Sequence, residues 1–162
     1  MIWGVEFMKK TIIIVVGSLV VISIIVCGLY NYFTVDTQYA KQFGNILSDY
    51  NIEQTDGFFE DSTKIISGDR ESTYRECRQN VIKAFEEKKF CIQKDTSYGH
   101  GNNRFKKGSQ EVLIRLFGTY NDKTIGECSV IMKLKRNNLL NYSIESIESD
   151  SKFFDYLFFG NK

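Results

Sequence analysis

Proline is absent from all 162 residues, and the chain holds one histidine and one tryptophan. The lack of proline excludes collagen-like segments, proline-rich linkers and cis-proline turns. His100 has no second imidazole to complete a metal site, and Cys77, Cys91 and Cys128 lack C-x-x-C-like spacing. A glycine-rich phosphate loop, a Gly-x-Ser-x-Gly elbow and an H-E-x-x-H motif are also missing. We therefore expect neither a metal nor a cofactor, and we expect the three cysteines to be buried thiols, with one disulfide as the alternative.

An excess of charge is missing as well. Residues 34–162 hold 19 basic and 19 acidic residues, because the preceding segment contains two of the 21 basic residues (Lys9, Lys10) and one of the 20 acidic residues (Glu6). Nucleic-acid-binding domains usually carry a basic excess or stripe. The local clusters "NNRFKK" and "KLKR" are typical of solvated turns and strand edges, so we expect no nucleic-acid partner.

The chain does contain one long apolar run, "TIIIVVGSLVVISIIVCGLYNYF", at residues 11–33. It carries no charged side chain and meets the roughly 20 residues that a membrane-spanning helix needs. Lys9 and Lys10 precede it, and aromatic residues follow at its far end. The positive-inside rule predicts that residues 1–10 are cytoplasmic, that residues 11–33 cross the cell membrane and that residues 34–162 form an extracytoplasmic domain.

Three alternatives to a plain anchor remain open at this stage. A cleaved signal peptide has a shorter apolar core and a small-residue cleavage site, and no clear A-x-A-like site is present. A lipoprotein signal ending at Cys27 lacks the usual small residue before the cysteine. The third alternative, a buried helix of a soluble protein, fits poorly because the segment is apolar on every face. A separate hypothesis concerns the start of the chain: the "MKK" at Met8 resembles the start of an exported bacterial chain, so Met8 is an alternative initiation site.

The hydrophobic pattern of the domain predicts helices first. "TQYAKQFGNILSDY" (37–50) places Tyr39, Phe43, Ile46 and Leu47 on one helical face, and a short helix or turn follows near 52–59. A longer helix begins at Thr73, where Thr73-x-x-Glu76 forms a capping box. Its apolar stripe comprises Tyr74, Cys77, Val81 and Phe85.

Strands are predicted around and after that helix. "STKII" has the β-branched content of a strand and is followed by a turn at "SGDRE". "CIQKDTSY" predicts a strand, "GHGNNR" a loop and "NDK" a hairpin turn. The segments "EVLIRLFGTY", "ECSVIMKLKR" and "LLNYSIESI" alternate apolar and polar residues as half-buried antiparallel strands do. Leu140, Tyr142 and Ile144 are expected on one face of the last strand. An α+β domain with helices covering a curved antiparallel sheet follows from this order.

Three stretches carry a family resemblance: "FFEDSTKIISGDRESTYRECRQNVIKAFEE", "EVLIRLFGTYNDKTIGECSVIMKLKR" and "LNYSIESIES". Over residues 37–149 they resemble the nuclear transport factor 2-like superfold, also called the SnoaL-like or cystatin-like cone. In the last stretch, Tyr142 and Ile144 take the places of a Trp-x-Ile core pair. The resemblance implies a cone-shaped pocket between the sheet and the long helix, and the superfold includes both enzymes and non-enzymes.

Enzymes of this superfold, such as ketosteroid isomerase and polyketide cyclases, use a buried Asp as a base with Tyr or protonated Asp as hydrogen-bond donors. The strands of this chain offer no inward Asp by pattern. Asp95, Tyr98 and His100 are the pocket candidates if the protein is an isomerase-like or cyclase-like enzyme or a small-ligand carrier. The adjacent carboxylates Glu60 and Asp61 are not expected to form a facing catalytic pair.

The tail "DSKFFDYLFFGNK" is the most aromatic stretch of the domain. Asp150 or Ser151 is placed to cap a short helix. Its side chains either plug the open end of the cone or cover the sheet, or they form an exposed surface for a protein partner, a second copy or the membrane surface. The surface candidates are Phe153, Phe154, Tyr156, Phe158 and Phe159.

We expect a non-enzymatic, single-pass membrane protein whose extracytoplasmic domain is a binding or assembly module. One subclass resembles the membrane-anchored assembly subunits of secretion and conjugation machines, which join a membrane helix to this superfold.

Overall fold

The structure, a computed structural model, describes residues 2–94, 98–102, 109–125, 128–138 and 141–160. It divides into two compact units, Met1–Thr34 and Val35–Lys162. Helix α1 (Ile2–Asp49) contributes residues to both units.

The first unit is an apolar helix. Within the described residues, Ile12–Tyr30 is the one helical stretch long and apolar enough to cross a membrane, although a signal sequence passes the same test. Its hydroxyl groups are satisfied within the helix, since Ser18 Oγ donates to the Val15 carbonyl at 2.8 Å and Ser23 Oγ to the Leu19 carbonyl at 2.9 Å. Such internal bonding suits a surrounding without water. The helix is therefore present as predicted, and its membrane role stays a prediction.

The helices of the second unit follow the sequence patterns closely. Residues 35–49 of α1 bury Phe43, Ile46 and Leu47. Helix α2 (Ile52–Phe58) is capped by Asn51, whose side-chain oxygen accepts from the Gln54 amide at 2.9 Å.

Helix α3 (Tyr74–Glu87) begins with the predicted capping box. The Thr73 amide donates to Glu76 Oε2 at 3.0 Å, and the Ser72 hydroxyl donates to the same oxygen at 2.6 Å. The apolar stripe of α3 is buried as expected, with Ala84 added to it. The helix ends at Lys88, whose left-handed backbone (φ 49°) stops the helical pattern.

Six strands form the main sheet in the order β2-β1-β9-β8-β5-β4. Their bounds are β1 (Lys64–Ser67), β2 (Arg70–Thr73), β4 (Tyr98–Asn102), β5 (Ser109–Leu116), β8 (Cys128–Arg136) and β9 (Tyr142–Glu148). Strand β1 runs parallel to β9, and the other neighbours are antiparallel. The α+β prediction, with helices and a curved sheet, is confirmed, but the sheet is not wholly antiparallel because β1 and β9 run parallel.

Alternation along β5 and β8 puts one side of each strand in the core. The inward residues are Val112, Ile114 and Leu116 on β5 and Cys128, Val130, Met132 and Leu134 on β8. On β9 the pairing shifts between Lys133 and Leu134, so that Glu145 is an extra residue on that strand. This bulge lets Ile144 and Ile147, three positions apart, both lie in the core. Ile144 is buried and Tyr142 half-buried, while Leu140 lies outside the described residues.

A second, three-stranded sheet has the order β3-β6-β7, formed by β3 (Phe90–Ile92), β6 (Gly118–Tyr120) and β7 (Lys123–Thr124). The predicted strand "EVLIRLFGTY" is therefore split between two sheets after Leu116. Gly118 permits the change of partner, because a Cβ there would stand 2.1 Å from the Cys91 carbonyl oxygen. The "NDK" turn is confirmed, with Asn121 and Asp122 both at positive φ.

Three local predictions are wrong. The "SGDRE" turn is limited to Gly68 and Asp69, because Arg70–Thr73 pairs with β1 as strand β2. The "GHGNNR" segment is not wholly a loop, since the backbone of Tyr98–Asn102 pairs with β5. The segment "CIQKDTSY" is not one continuous strand, because Cys91 and Ile92 belong to β3, Gln93 and Lys94 to no strand, and Tyr98 to β4.

The cysteines of the domain differ from the expected pattern at one position. Cys77 and Cys128 are buried thiols, as expected, but Cys91 is exposed. Its place in β3 explains this, because Phe90 and Ile92 on either side point into the core and alternation turns Cys91 outward.

Candidate functional site

Aromatic rings from helix α4 (Lys152–Phe159) fill the interior of the second unit. Phe153 packs on Phe90 with ring centroids 5.0 Å apart, and Phe158 meets Phe59 at 6.1 Å. Phe59 in turn stacks against Tyr74 at 5.1 Å. The rings therefore link α4, α3, β3 and the segment after α2 into one packed cluster.

Polar contacts hold α4 at both ends. The Ser151 hydroxyl caps the helix by accepting from the Phe154 amide at 3.1 Å, which confirms the predicted cap. Asp155 accepts from Ser67 and pairs with Arg70. Beyond these, Asn80 Nδ2 donates to the Phe158 carbonyl at 2.9 Å.

The burial of these rings corrects the partner-surface prediction for four of the five candidates. Phe153, Phe154, Tyr156 and Phe158 are each no more than 4% exposed, so they pack inside the domain instead of presenting a surface. Packing inside the domain removes more apolar area from water than a solvent-facing patch does. Phe159 is half-buried and lies under the Arg70 guanidinium at 4.5 Å, so it is the one candidate with surface exposure.

A cleft of about 530 Å³ opens at another part of the second unit. It lies between residues 35–49 of α1, the end of α2 with the turn that follows it, and the start of β9. The cleft is lined by Tyr39, Gln42, Asp56, Gly57, Phe58, Phe59, Glu60, Asp61, Asn137, Tyr142, Ser143 and Ile144. Its volume falls within the roughly 300–1,000 Å³ of small-ligand pockets.

The opening of this cleft is held by contacts between distant parts of the chain. The Tyr39 hydroxyl donates to the Tyr142 carbonyl at 2.9 Å, and the Thr63 hydroxyl donates to the Ile144 carbonyl at 3.0 Å. Tyr39 also packs on Phe58 with centroids 5.7 Å apart. Burial raises the pKa of the Tyr39 hydroxyl, which keeps it a neutral hydrogen-bond donor.

Asp56 at one wall of the cleft is tied to two side chains of α3. It accepts from Arg78 Nε at 2.8 Å, from Arg78 Nη2 at 2.7 Å and from the Tyr74 hydroxyl at 2.8 Å. The Arg78 hydrogen bonds hold the pKa of Asp56 below its usual range. Burial, with the Asp56 hydrogen bond, raises the pKa of Tyr74. Asp56 is therefore a poor general base, because its charged form is the one that its neighbours stabilise.

Glu60 and Asp61 both line the cleft and are exposed. The expectation that adjacent side chains diverge applies to helices and strands. Asp61 and Ser62 lie in a turn instead, and both carboxylates line the same opening. Among the described residues neither carboxylate makes an ion pair. Sequence reasoning missed this cleft because Tyr39, Asp56 and Tyr142 come together only through packing of α1, α2 and β9.

The enzyme alternative has three pocket candidates, Asp95, Tyr98 and His100. Asp95 lies outside the described residues. Tyr98 and His100 belong to β4, where Tyr98 pairs with Arg115 and His100 with Leu113. Strand β4 is the outermost strand of the main sheet, on the opposite side of β5 and β8 from β9.

Within the described part of the chain, no group of three histidine, cysteine or carboxylate residues is arranged to hold a metal ion. The thiols of Cys77 and Cys128 have raised pKa values because both are buried. Neither thiol is therefore an activated nucleophile.

No protein-family model and no curated protein matches this chain. Solved structures do match it in fold. A nuclear transport factor 2-like protein from Cytophaga hutchinsonii is 13% identical, with a TM-score of 0.51 over 70% of this chain and 93% of its own. A protein of unknown function with a cystatin-like fold, from Nostoc punctiforme, is also 13% identical, with a TM-score of 0.50 over 69% of this chain and 84% of its own.

Identities this low carry information on fold and none on activity. The element order, the curved sheet and these two likenesses agree with the resemblance seen in the sequence. Residues 35–162 have the nuclear transport factor 2-like, or cystatin-like, fold.

Proposed function

We propose that this protein is a single-pass membrane protein with a cytoplasmic N-terminus, and that residues 34–162 are an extracytoplasmic binding or assembly module without catalytic activity. The observation that carries the proposal is the exposure of the apolar helix. Thirteen aliphatic side chains between Ile12 and Leu29 are each at least 50% exposed. Transferring them from water into lipid is favourable by roughly 20 kcal/mol or more at about 1.5–3 kcal/mol for each side chain.

The packing of the domain favours a role in binding over a role in catalysis. The aromatic rings of α4 occupy the space between the helices and the sheets, where an isomerase-like enzyme of this superfold needs a pocket. Asp56, a carboxylate in the wall of the cleft, is held in its charged form by Arg78. The remaining cleft is open and lined by polar and aromatic side chains, which suits the recognition of a partner.

Within this class, a role as an assembly subunit of a secretion or conjugation machine is the finer proposal. It joins one membrane helix to one domain of this fold, as those subunits do. A gene neighbourhood containing conjugation ATPases supports this role, and a neighbourhood of unrelated metabolic genes argues against it.

The proposal is tested by extracting membranes of expressing cells with alkaline carbonate and measuring the intact mass of the protein that remains. We expect the chain in the membrane pellet with residues 11–33 still attached. Recovery of a shorter, soluble chain that begins after the apolar run contradicts the anchor and identifies a cleaved signal peptide.

A further inference from the structure

The cleft beside Asp56 has a marked negative charge. Its lining contains the carboxylates Asp56, Glu60 and Asp61 and no lysine or arginine. Arg78 neutralises Asp56 through two hydrogen bonds, so the two remaining carboxylates leave a net charge of −2 at the opening. The second unit as a whole is close to neutral, so this is a local concentration of charge.

Aromatic faces accompany these carboxylates. Tyr39 and Tyr142 are half-buried, and Phe58 and Phe59 are buried behind them. The hydrogen bond from the Tyr39 hydroxyl to the Tyr142 backbone fixes Tyr39 in its place. Aromatic rings next to carboxylates favour a cation that has an apolar stem, because the ring faces attract the charge and the ring edges pack against methylene groups.

The rim of the cleft adds groups that match a peptide backbone. Gln42 and Asn137 are exposed side-chain amides, and each amide offers both hydrogen-bond donors and an acceptor. Ser143, whose hydroxyl donates to Asn137 Oδ1 at 3.3 Å, lies beside them. Apart from its chain neighbours and the backbone of its own helix, no atom lies within 4 Å of where a Cβ of Gly57 would stand, so this side of α2 is open to close approach.

We infer that this cleft binds a lysine or arginine side chain presented by an extended segment of a protein partner. Glu60 and Asp61 pair with the ammonium or guanidinium group, the tyrosine rings pack on its stem, and the amides of Gln42 and Asn137 bond the backbone on either side. The inference rests on the proposed role as a binding module and names the chemistry of its partner.

The test uses the full chain in detergent and a fluorescein-labelled six-residue peptide in which lysine and serine alternate. Fluorescence anisotropy measures its affinity for the wild type, for Glu60→Gln/Asp61→Asn, and for Asp69→Asn/Glu86→Gln. The last variant is the matched control, because Asp69 and Glu86 are exposed carboxylates outside the cleft. We expect the cleft variant to lose about tenfold in affinity, as removal of two exposed ion pairs predicts, and the control to match the wild type.

Two further ligands identify what is recognised. The same peptide with acetylated lysines keeps the stems and loses the charge, so we expect its binding to be at least tenfold weaker. Spermidine carries the charge without a backbone, and we expect it to compete only weakly.

Equal affinity of the cleft variant and the control overturns the inference, as does the absence of measurable binding. Spermidine that binds as tightly as the lysine peptide also overturns it, because a free amine is then the ligand. The membrane extraction described above is independent of this result, so failure of the anchor and failure of the cation site are distinguishable.

Discussion

Helix α4 and the Ile12–Tyr30 part of α1 are both dominated by large nonpolar side chains, yet their surroundings are opposite. In α4, five side chains from Phe153 to Phe158 are buried, whereas in the first segment Ile13 and Ile14 are each 70% exposed. Helix α4 carries Asp155 and Tyr156, whose polar groups bond Arg70 and Glu87 of the same domain. The first segment is apolar on every face. The comparison teaches that nonpolar content alone does not identify a core element, and that polar groups with partners in the domain mark the helix that packs inside it.

Removal of α4 is expected to have the largest effect. Truncation after Ser149 deletes five buried side chains, which together contribute about 8–15 kcal/mol as an upper estimate. Because the whole stability of such a domain is about 5–15 kcal/mol, we expect an unfolded domain. Circular dichroism and limited proteolysis of the full membrane-bound chain measure this. A matched truncation that removes only residues 161 and 162 is expected to fold, and a folded domain after loss of α4 contradicts the role of α4 in the core.

Removing a single aromatic ring tests whether α4 contributes to the core. Phe154→Ala is expected to lower the free energy of unfolding by about 3–5 kcal/mol, since Phe154 is 1% exposed and packs on Phe158 at 4.7 Å. Phe159→Ala serves as the control, with an expected loss of about 1 kcal/mol because Phe159 is half-buried. Urea unfolding of the detergent-solubilised chain gives both values. If both substitutions lower the free energy of unfolding equally, the result contradicts the deeper burial of Phe154 compared with Phe159.

A charged residue introduced into Ile12–Tyr30 is expected to weaken membrane insertion of that segment and to leave the stability of residues 35–162 unchanged. Val21→Asp near the middle of Ile12–Tyr30 raises the apparent free energy of membrane insertion by about 2.5–3.5 kcal/mol, while Val21→Leu leaves it unchanged. A translocation reporter fused after the segment measures insertion. Urea unfolding of residues 35–162 within the full chain is expected to be the same for both variants, and a destabilised domain contradicts the contrast between the two segments.

The smallest expected effect is the loss, at low pH, of the stability that Asp56 contributes. The Arg78 hydrogen bonds lower the pKa of Asp56 below the ordinary value of about 3.9. A carboxyl group with a lowered folded-state pKa stabilises the fold fully above its unfolded pKa, and this contribution is lost as pH falls through the folded pKa. We therefore expect the stability difference between the wild type and Asp56→Asn to be constant from pH 7 to about pH 5 and to shrink below about pH 4.

Urea titrations at several pH values measure this change. Asp69→Asn is the control, because Asp69 is an exposed carboxylate in the β1–β2 turn. A stability difference for Asp56→Asn that stays the same down to pH 3 shows that the bond to Arg78 does not set the charge of Asp56.

Much of the fold was predictable because periodicity reports burial directly. The stripe of α3, the capping box at Thr73 and the alternation in β8 follow from local sequence. Strand β2 was missed because charged residues with a short turn look the same in a hairpin and in a loop. The bulge at Glu145 was missed because the register of β9 is set by its partners β8 and β1.

The candidate site was less predictable than the fold. Phe58, Phe59, Glu60 and Asp61 stood out in the sequence, and all four line the cleft. The pairing of Asp56 with Arg78, 22 positions away, depends on how α2 packs against α3. No local pattern encodes that distance.

The most direct test of the anchored, outward-facing domain uses Cys91, which is the exposed thiol of the second unit, while Cys77 and Cys128 are buried. Intact cells are treated with a membrane-impermeant maleimide, and the labelled protein is recovered from the membrane fraction. Cys91→Ser is the control for labelling at other thiols. The account predicts that Cys91 is labelled in intact cells on a membrane-bound chain. Labelling of Cys91 only after the cells are lysed would contradict it.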